Sequence, residues 1–241
     1  MRTPREAGLE GGEALEITTS DGVRLHGWFL WASPDRARGA PTLLVFHGNG
    51  ENVTGDAGWH GLLRSFGCNV AAADYRGYGL SDGAPSESGL IEDGLAALRA
   101  VRARPDVDPR RIFLLGSSLG SGVAVAVAER EEVAGVILQS PFDSLRRVAL
   151  RHYPIFPGFL VRSPFDSAAR IANVKAPILV LHGDRDTIVP IESGRALYAA
   201  ARTGRGFQEV AGAGHNDLVG LAGDRYGRWI GDFIRGAPPN K

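Results

Sequence analysis

The feature that most constrains this chain is a rhythm. Short, near-continuous apolar runs at 42–46, 68–73, 112–115, 134–139 and 177–181 alternate with longer stretches of helical spacing. An apolar run without polar alternation has no solvent face, so it predicts a strand buried on both sides, as in a parallel sheet. Helices are predicted over 53–66, 86–103, 118–128, 190–201 and 217–234. In the second of these, Leu90, Ile91, Leu95, Leu98 and Val101 recur at three- and four-residue steps and define one apolar face. Such alternation implies right-handed crossovers and a doubly wound, mostly parallel α/β sheet with helices on both faces. Residues 14–19 and 23–31 read as a hairpin around Thr19-Ser-Asp-Gly22, and 206–210 as a weaker last strand, about eight strands in all. Ligands of such sheets bind beyond the carboxyl ends of the strands.

A length of 241 residues suits a single domain over 14–236, with 1–13 and 237–241 as flexible ends. One stretch breaks the rhythm: 140–176 has no clear strand and is interrupted by Pro154, Pro157 and Pro164. It contains a near-repeat, Ser140-Pro-Phe-Asp-Ser-Leu-Arg-Arg-Val-Ala and Ser163-Pro-Phe-Asp-Ser-Ala-Ala-Arg-Ile-Ala. Two copies are too few for a repeat architecture. The reading is two short helices, N-capped by Asp143 or Ser144 and by Asp166 or Ser167, forming a small cap (141–176) over the site.

Composition narrows the function classes. Lys+Arg 27 against Asp+Glu 27 leaves no basic excess, which argues against a nucleic-acid binder working by bulk electrostatics. The single cysteine, Cys68, excludes an internal disulfide and a Cys-rich metal site. No apolar stretch approaches the ~20 residues that span a bilayer, and the first residues lack the apolar core of a secretory signal. The expectation is a soluble cytoplasmic protein with no integral membrane segment.

The pattern G-x-S-x-G occurs twice, at Gly79-Leu-Ser81-Asp-Gly83 and Gly116-Ser-Ser118-Leu-Gly120. A nucleophile elbow needs a buried strand running into the turn and a helix starting at the serine. Ser118 has both, with Ile112-Phe-Leu-Leu115 before it and Gly120-Ser-Gly-Val-Ala-Val-Ala-Val-Ala128 after it; Ser81 lies in a Gly-rich loop. A serine hydroxyl needs a base. Of six histidines, His47 and His182 end strands, His26 lies in the hairpin, His60 in a helix and His152 in the cap. His215 stands in the small-residue loop Ala211-Gly-Ala-Gly-His215, where close approach to the elbow is easiest, and is the candidate base. Its carboxylate partner is Asp186 or Asp184, both just past the strand at 177–181, with Asp143 as an outside candidate; Asp217 reads as a helix cap. Main-chain N–H groups of Leu119 and of the loop Phe46-His-Gly-Asn-Gly50, through Asn49 and then Gly50, are the candidate oxyanion hole.

Together these residues resemble the α/β-hydrolase superfamily over nearly the whole chain, in the order Ser118, acid, His215. Five stretches are similar to small serine-aminopeptidase-like hydrolases, a branch that includes membrane-tethered eukaryotic lipid and acyl-thioester hydrolases. They are Val45-Phe-His-Gly-Asn-Gly50, Asp74-Tyr-Arg-Gly-Tyr-Gly-Leu-Ser-Asp-Gly83, Gly116-Ser-Ser-Leu-Gly120, His182-Gly-Asp-Arg-Asp-Thr-Ile-Val-Pro190 and Gly212-Ala-Gly-His215. The resemblance implies an α/β-hydrolase fold with Asp186 as the acid and 74–83 as structural. It implies a serine hydrolase for small-molecule carboxylic esters or thioesters, with no metal or organic cofactor. Gly48, Gly50, Tyr153 and Phe156 are the expected substrate contacts. The same triad serves amidases, peptidases, lyases and haloperoxidases, and a non-catalytic ligand-binding protein can share the fold. In the cap, Arg146, Arg147, Arg151 and Arg162 among apolar residues raise weak membrane-surface contact as an alternative to plain solvation.

Overall fold

The five continuous apolar runs form the five central strands, and burial on both sides is what makes them so. The computed structural model describes residues 3–32, 39–152 and 165–236, apart from the side chain of His152. Strands β1 (Glu13–Thr18), β2 (Arg24–Leu30), β3 (Thr42–Phe46), β4 (Asn69–Ala73), β5 (Ile112–Ser117), β6 (Gly135–Gln139), β7 (Ile178–Gly183) and β8 (Gly204–Val210) form one sheet. Its order is β1-β2-β4-β3-β5-β6-β7-β8. Every residue of β3, β4, β6 and β7 is buried, and β5 is buried except at Ser117. The hairpin β1–β2 joins antiparallel to β4, and the remaining pairs are parallel.

Two helical layers cover the sheet. On one face lie α2 (Glu87–Arg102), α3 (Leu119–Arg130), α4 (Leu145–His152), α5 (Ser167–Ile171) and α6 (Ile191–Ala200). Helix α3 is apolar all round, so it is the buried centre of that layer: Gly120 through Ala128 are all buried. On the other face lie α1 (Ala57–Ser65), α7 (Leu218–Ala222) and α8 (Asp224–Arg235), against Trp28, Leu43, Val45, Phe113 and Ile137.

Four details depart from the periodicity. The helix expected over 53–66 begins only at Ala57; the turns before it carry Val53 N–H donating to Asp74 Oδ1 at 2.7 Å and Gly55 N–H donating to Asn52 Oδ1 at 2.9 Å. The helix expected over 217–234 is two helices, broken at Gly223, whose φ of +54° a helix cannot continue. Asp217 precedes α7 but does not cap it; its carboxylate accepts from Gly214 N–H at 2.6 Å. Residues 3–12, expected as a flexible end, form hydrogen-bonded turns whose Ala7 and Leu9 pack on the second core.

The near-repeat is a structural pair. Ser144 and Asp166 form an antiparallel bridge, and Phe142 and Phe165 meet edge-on at 6.3 Å over Gly122 of α3. Asp166 caps α5 by accepting from Ala169 N–H at 3.1 Å. The central part of the expected cap, with Tyr153, Phe156 and Arg162, lies outside the described residues, as do 237–241.

Candidate active site

Ser118 sits where β5 turns into α3, with φ 50° and ψ −115°, left-handed backbone at a residue that is not glycine. Such a conformation is costly unless its surroundings hold it. The flanking glycines allow this by close approach. A Cβ at Gly116 would lie 2.3 Å from Gly120 O, and one at Gly120 would lie 2.0 Å from Phe46 O. The start of α3 is therefore pressed against the end of β3 and the loop after it. Ser118 N–H donates to Gln139 O at 3.0 Å, tying the turn to β6.

Three side chains from three separate loops meet there. Ser118 Oγ lies 2.9 Å from His215 Nε2, and His215 Nδ1 lies 2.7 Å from Asp186 Oδ2. The other oxygen of Asp186 accepts from Ile188 N–H at 2.9 Å and Val189 N–H at 2.8 Å. Burial by itself would raise the Asp186 carboxyl, but the His182 and His215 rings and Val189 N–H outweigh it and hold it well below the usual carboxylate range. An ionised Asp186 accepts the Nδ1 proton, which leaves Nε2 free to accept the hydroxyl hydrogen of Ser118.

The rival acids are engaged elsewhere. Asp184 Oδ1 accepts from Gly212 N–H at 2.6 Å and so anchors the loop that carries His215. Asp143 accepts from Ser193 Oγ at 2.6 Å and Ser144 N–H at 2.8 Å, and pairs with Arg147. His182 is fully buried behind Asp186, donating from Nε2 to Val189 O at 2.8 Å. Ser81 Oγ donates to Asp74 O at 2.7 Å and accepts from His26 N–H at 3.0 Å, which stitches its loop to β2.

The loop 47–51 is held rigid from behind. The buried His47 ring lies against Tyr75 at 4.3 Å and Tyr78 at 5.4 Å, and its Nδ1 is 2.8 Å from Gly48 O. Tyr78 donates its hydroxyl hydrogen to Asn49 Oδ1 at 2.7 Å, and Gly48 N–H donates to Glu51 at 2.6 Å. Gly50 has φ +80°. Asp74 accepts from Val53 N–H and lies 3.8 Å from His47 Nε2, so the 74–83 loop supports this turn.

Beside His215 opens a cavity of about 410 Å³ that the sequence reading missed. Glu51, Asp56, Trp59, Gln139 and Val219 line it with His215. Burial, with Glu51 and Asp74 adding to it, raises the half-buried Asp56 carboxyl to about 7. The only sequence signal was faint: Gln139 is the one polar residue closing an otherwise apolar run. Among the described residues no three His, Cys, Asp or Glu side chains converge as metal ligands.

An eight-stranded, mostly parallel sheet with a left-handed serine at the β5–α3 turn defines the class of α/β-hydrolase-fold proteins. A family model described as alpha/beta hydrolase fold matches residues 41–167, just over half of the chain, and the chain belongs to that family. An uncharacterized protein of Mycobacterium tuberculosis is 41% identical over 211 residues, covering 87% of this chain and 74% of that protein. Alpha/beta hydrolase domain-containing protein 17C of Mus musculus is 38% identical over 233 residues, covering 96% of this chain and 70% of that protein. Among solved structures, an esterase of Pyrococcus furiosus superposes with a TM-score of 0.78 at 22% identity, over 99% of this chain and 95% of that one. An acetyl xylan esterase of Paenibacillus sp. R4 follows at TM-score 0.75 and 21% identity, over 95% and 85%. At these identities the structures share the fold. No helix among the described residues is long and apolar enough to cross a membrane.

Proposed function

We propose that the chain is a serine hydrolase that cleaves carboxylic esters or thioesters through an acyl-enzyme. The observation that carries this reading is the unbroken contact from Asp186 through His215 to Ser118 Oγ, at 2.7 and 2.9 Å. In the reaction, His215 Nε2 takes the hydroxyl proton as Ser118 Oγ attacks the acyl carbon. Asp186 holds the ring in the required tautomer and stabilises the imidazolium. Main-chain N–H groups of Leu119 and Asn49 receive the oxyanion. Leu119 opens α3, where a backbone N–H has no intrahelical acceptor, and the close packing of Gly120 on Phe46 O keeps that helix end beside the Asn49 loop. His215 then protonates the leaving atom, and water activated by the same ring releases the acid.

The test is hydrolysis of p-nitrophenyl acetate, butyrate, octanoate and palmitate by wild type, Ser118→Ala and Ser81→Ala. Ser118→Ala is expected to lose roughly 10⁴-fold or more in kcat, since removing one member of such a unit costs nearly as much as removing all. Ser81→Ala, if folded, keeps the activity. A Ser118→Ala protein as active as wild type would overturn the proposal.

A further inference from the structure

The cavity beside His215 contains a buried polar atom with no partner, Asp56 Oδ2. It lies on the α1–α7 face of the sheet, opposite the face on which Phe142 and Phe165 pack. At its base Gln139 is only 8% exposed. Trp59 Nε1–H donates to the Tyr226 hydroxyl at 3.0 Å, and Tyr226 donates onward to Gln139 Oε1 at 2.8 Å. This relay fixes the amide. Trp can only donate, and burial keeps the Tyr226 phenol protonated, so its hydrogen must find the carbonyl oxygen of Gln139. With Oε1 turned to Tyr226, the donor end of the Gln139 amide is the end available to the cavity that this side chain lines. Across the cavity, Asp56 Oδ2 is buried with no partner, beside Glu51, and no described lysine or arginine lines the space. Trp59, Leu62 and Val219 add an apolar wall, and an indole face attracts a cation.

We propose that this cavity seats the leaving half of the substrate, and that this half carries an ammonium group. The inference rests on the serine hydrolase reading for its direction. The leaving oxygen must take its proton from His215 Nε2 as its bond to the acyl carbon breaks, so the group attached to it passes over His215, which borders this cavity. The ammonium charge sits against Asp56 and Glu51, the apolar wall covers its carbons, and the Gln139 amide donates to a neighbouring substrate oxygen. A buried acid with no counter-charge, already raised to about 7, gains most from an arriving cation.

The test uses a pair of esters equal in shape and different in charge, butyrylcholine and 3,3-dimethylbutyl butyrate, at about pH 8. Wild type is expected to favour the cationic ester by about tenfold in kcat/KM, and Asp56→Asn to reduce that ratio below about threefold. The ratio is taken within each protein, so a general loss of activity cancels. Asp56 makes no side-chain hydrogen bond to the start of α1, so Asp56→Asn is expected to fold. Equal rates on the pair in wild type, or a preference that Asp56→Asn leaves intact, overturn the inference. So does a charge preference seen only on the acyl side, between p-nitrophenyl 4-(trimethylammonio)butyrate and p-nitrophenyl 5,5-dimethylhexanoate. Turnover of p-nitrophenyl butyrate by wild type separates these failures from failure of the hydrolase reading. Calorimetric titration of Ser118→Ala with the first pair reads the seat without turnover. Tighter binding of butyrylcholine, by about fivefold, supports the seat even if no ester is cleaved, and equal binding overturns it.

Discussion

Two aspartates of this site carry opposite electrostatic signatures. Asp186 is held below its unfolded-state pKa by the groups that hydrogen-bond its charged form, and Asp56 is raised above its own by burial near Glu51 and Asp74. Linkage then sets two signs. The Asp186 contribution to stability is complete above about pH 4 and is lost as pH falls further. For Asp56 the folded state favours the protonated acid, so its contribution is complete below about pH 4 and is lost as pH rises towards 7. Melting curves followed by circular dichroism are expected to show Asp186→Asn less stable than wild type at pH 7, with the gap closing in acid. Asp56→Asn is expected to match wild type near pH 4 and to exceed it above pH 7. Parallel curves for both variants would remove this account. On the hydrolase reading, Asp186→Asn also loses about 10⁴-fold in kcat, because an amide no longer demands the Nδ1–H tautomer.

At the scale of elements, the turn between β5 and α3 depends on space rather than on charge. Gly120 fits only because it lacks a Cβ: the nearest atoms are the carbonyls of Phe46 and His47, backbone that cannot swing away as a side chain would. Gly120→Ala is therefore expected to cost about 3 kcal/mol, the upper end for overpacking, and to lower Tm by roughly 6–12 °C for a chain of this size. An unchanged Tm would mean that α3 can slide along β3. The same element explains the near-repeat. Gly122 presents bare backbone to Phe142 and Phe165, and the two copies use that one surface from either end of the insertion.

For the whole molecule, acidic and basic residues are equal in number, so no net field draws a charged partner from a distance. The kcat/KM of a neutral ester such as p-nitrophenyl butyrate is expected to change less than about twofold between roughly 20 and 200 mM salt. A steep salt dependence would point to a charged surface taking part in capture of even a neutral ester.

Much of the fold was legible because its cause is local. A short apolar run bounded by turn residues is a strand buried on both faces when its length and neighbours exclude a helix, and the five runs became the five adjacent central strands β4, β3, β5, β6 and β7. The neighbourhoods of Ser118 and His215 were legible for a similar reason: strand-to-helix context and small residues mark where backbone can bend and approach. The residues alone favoured Asp186 over Asp184 only mildly, by its position in the loop, and the resemblance strengthened that choice. The structure separates them by hydrogen-bond partner, Gly212 N–H for one and the His215 ring for the other. The cavity of Asp56, Trp59 and Gln139 was not legible, since its groups lie far apart in the chain, and the break at Gly223 and the late start of α1 leave no mark in the apolar spacing. Local sequence determines which segments must be buried and where the chain can turn. Tertiary packing decides which polar groups find partners, because a hydrogen bond or an unmet charge is a property of two distant residues and not of either.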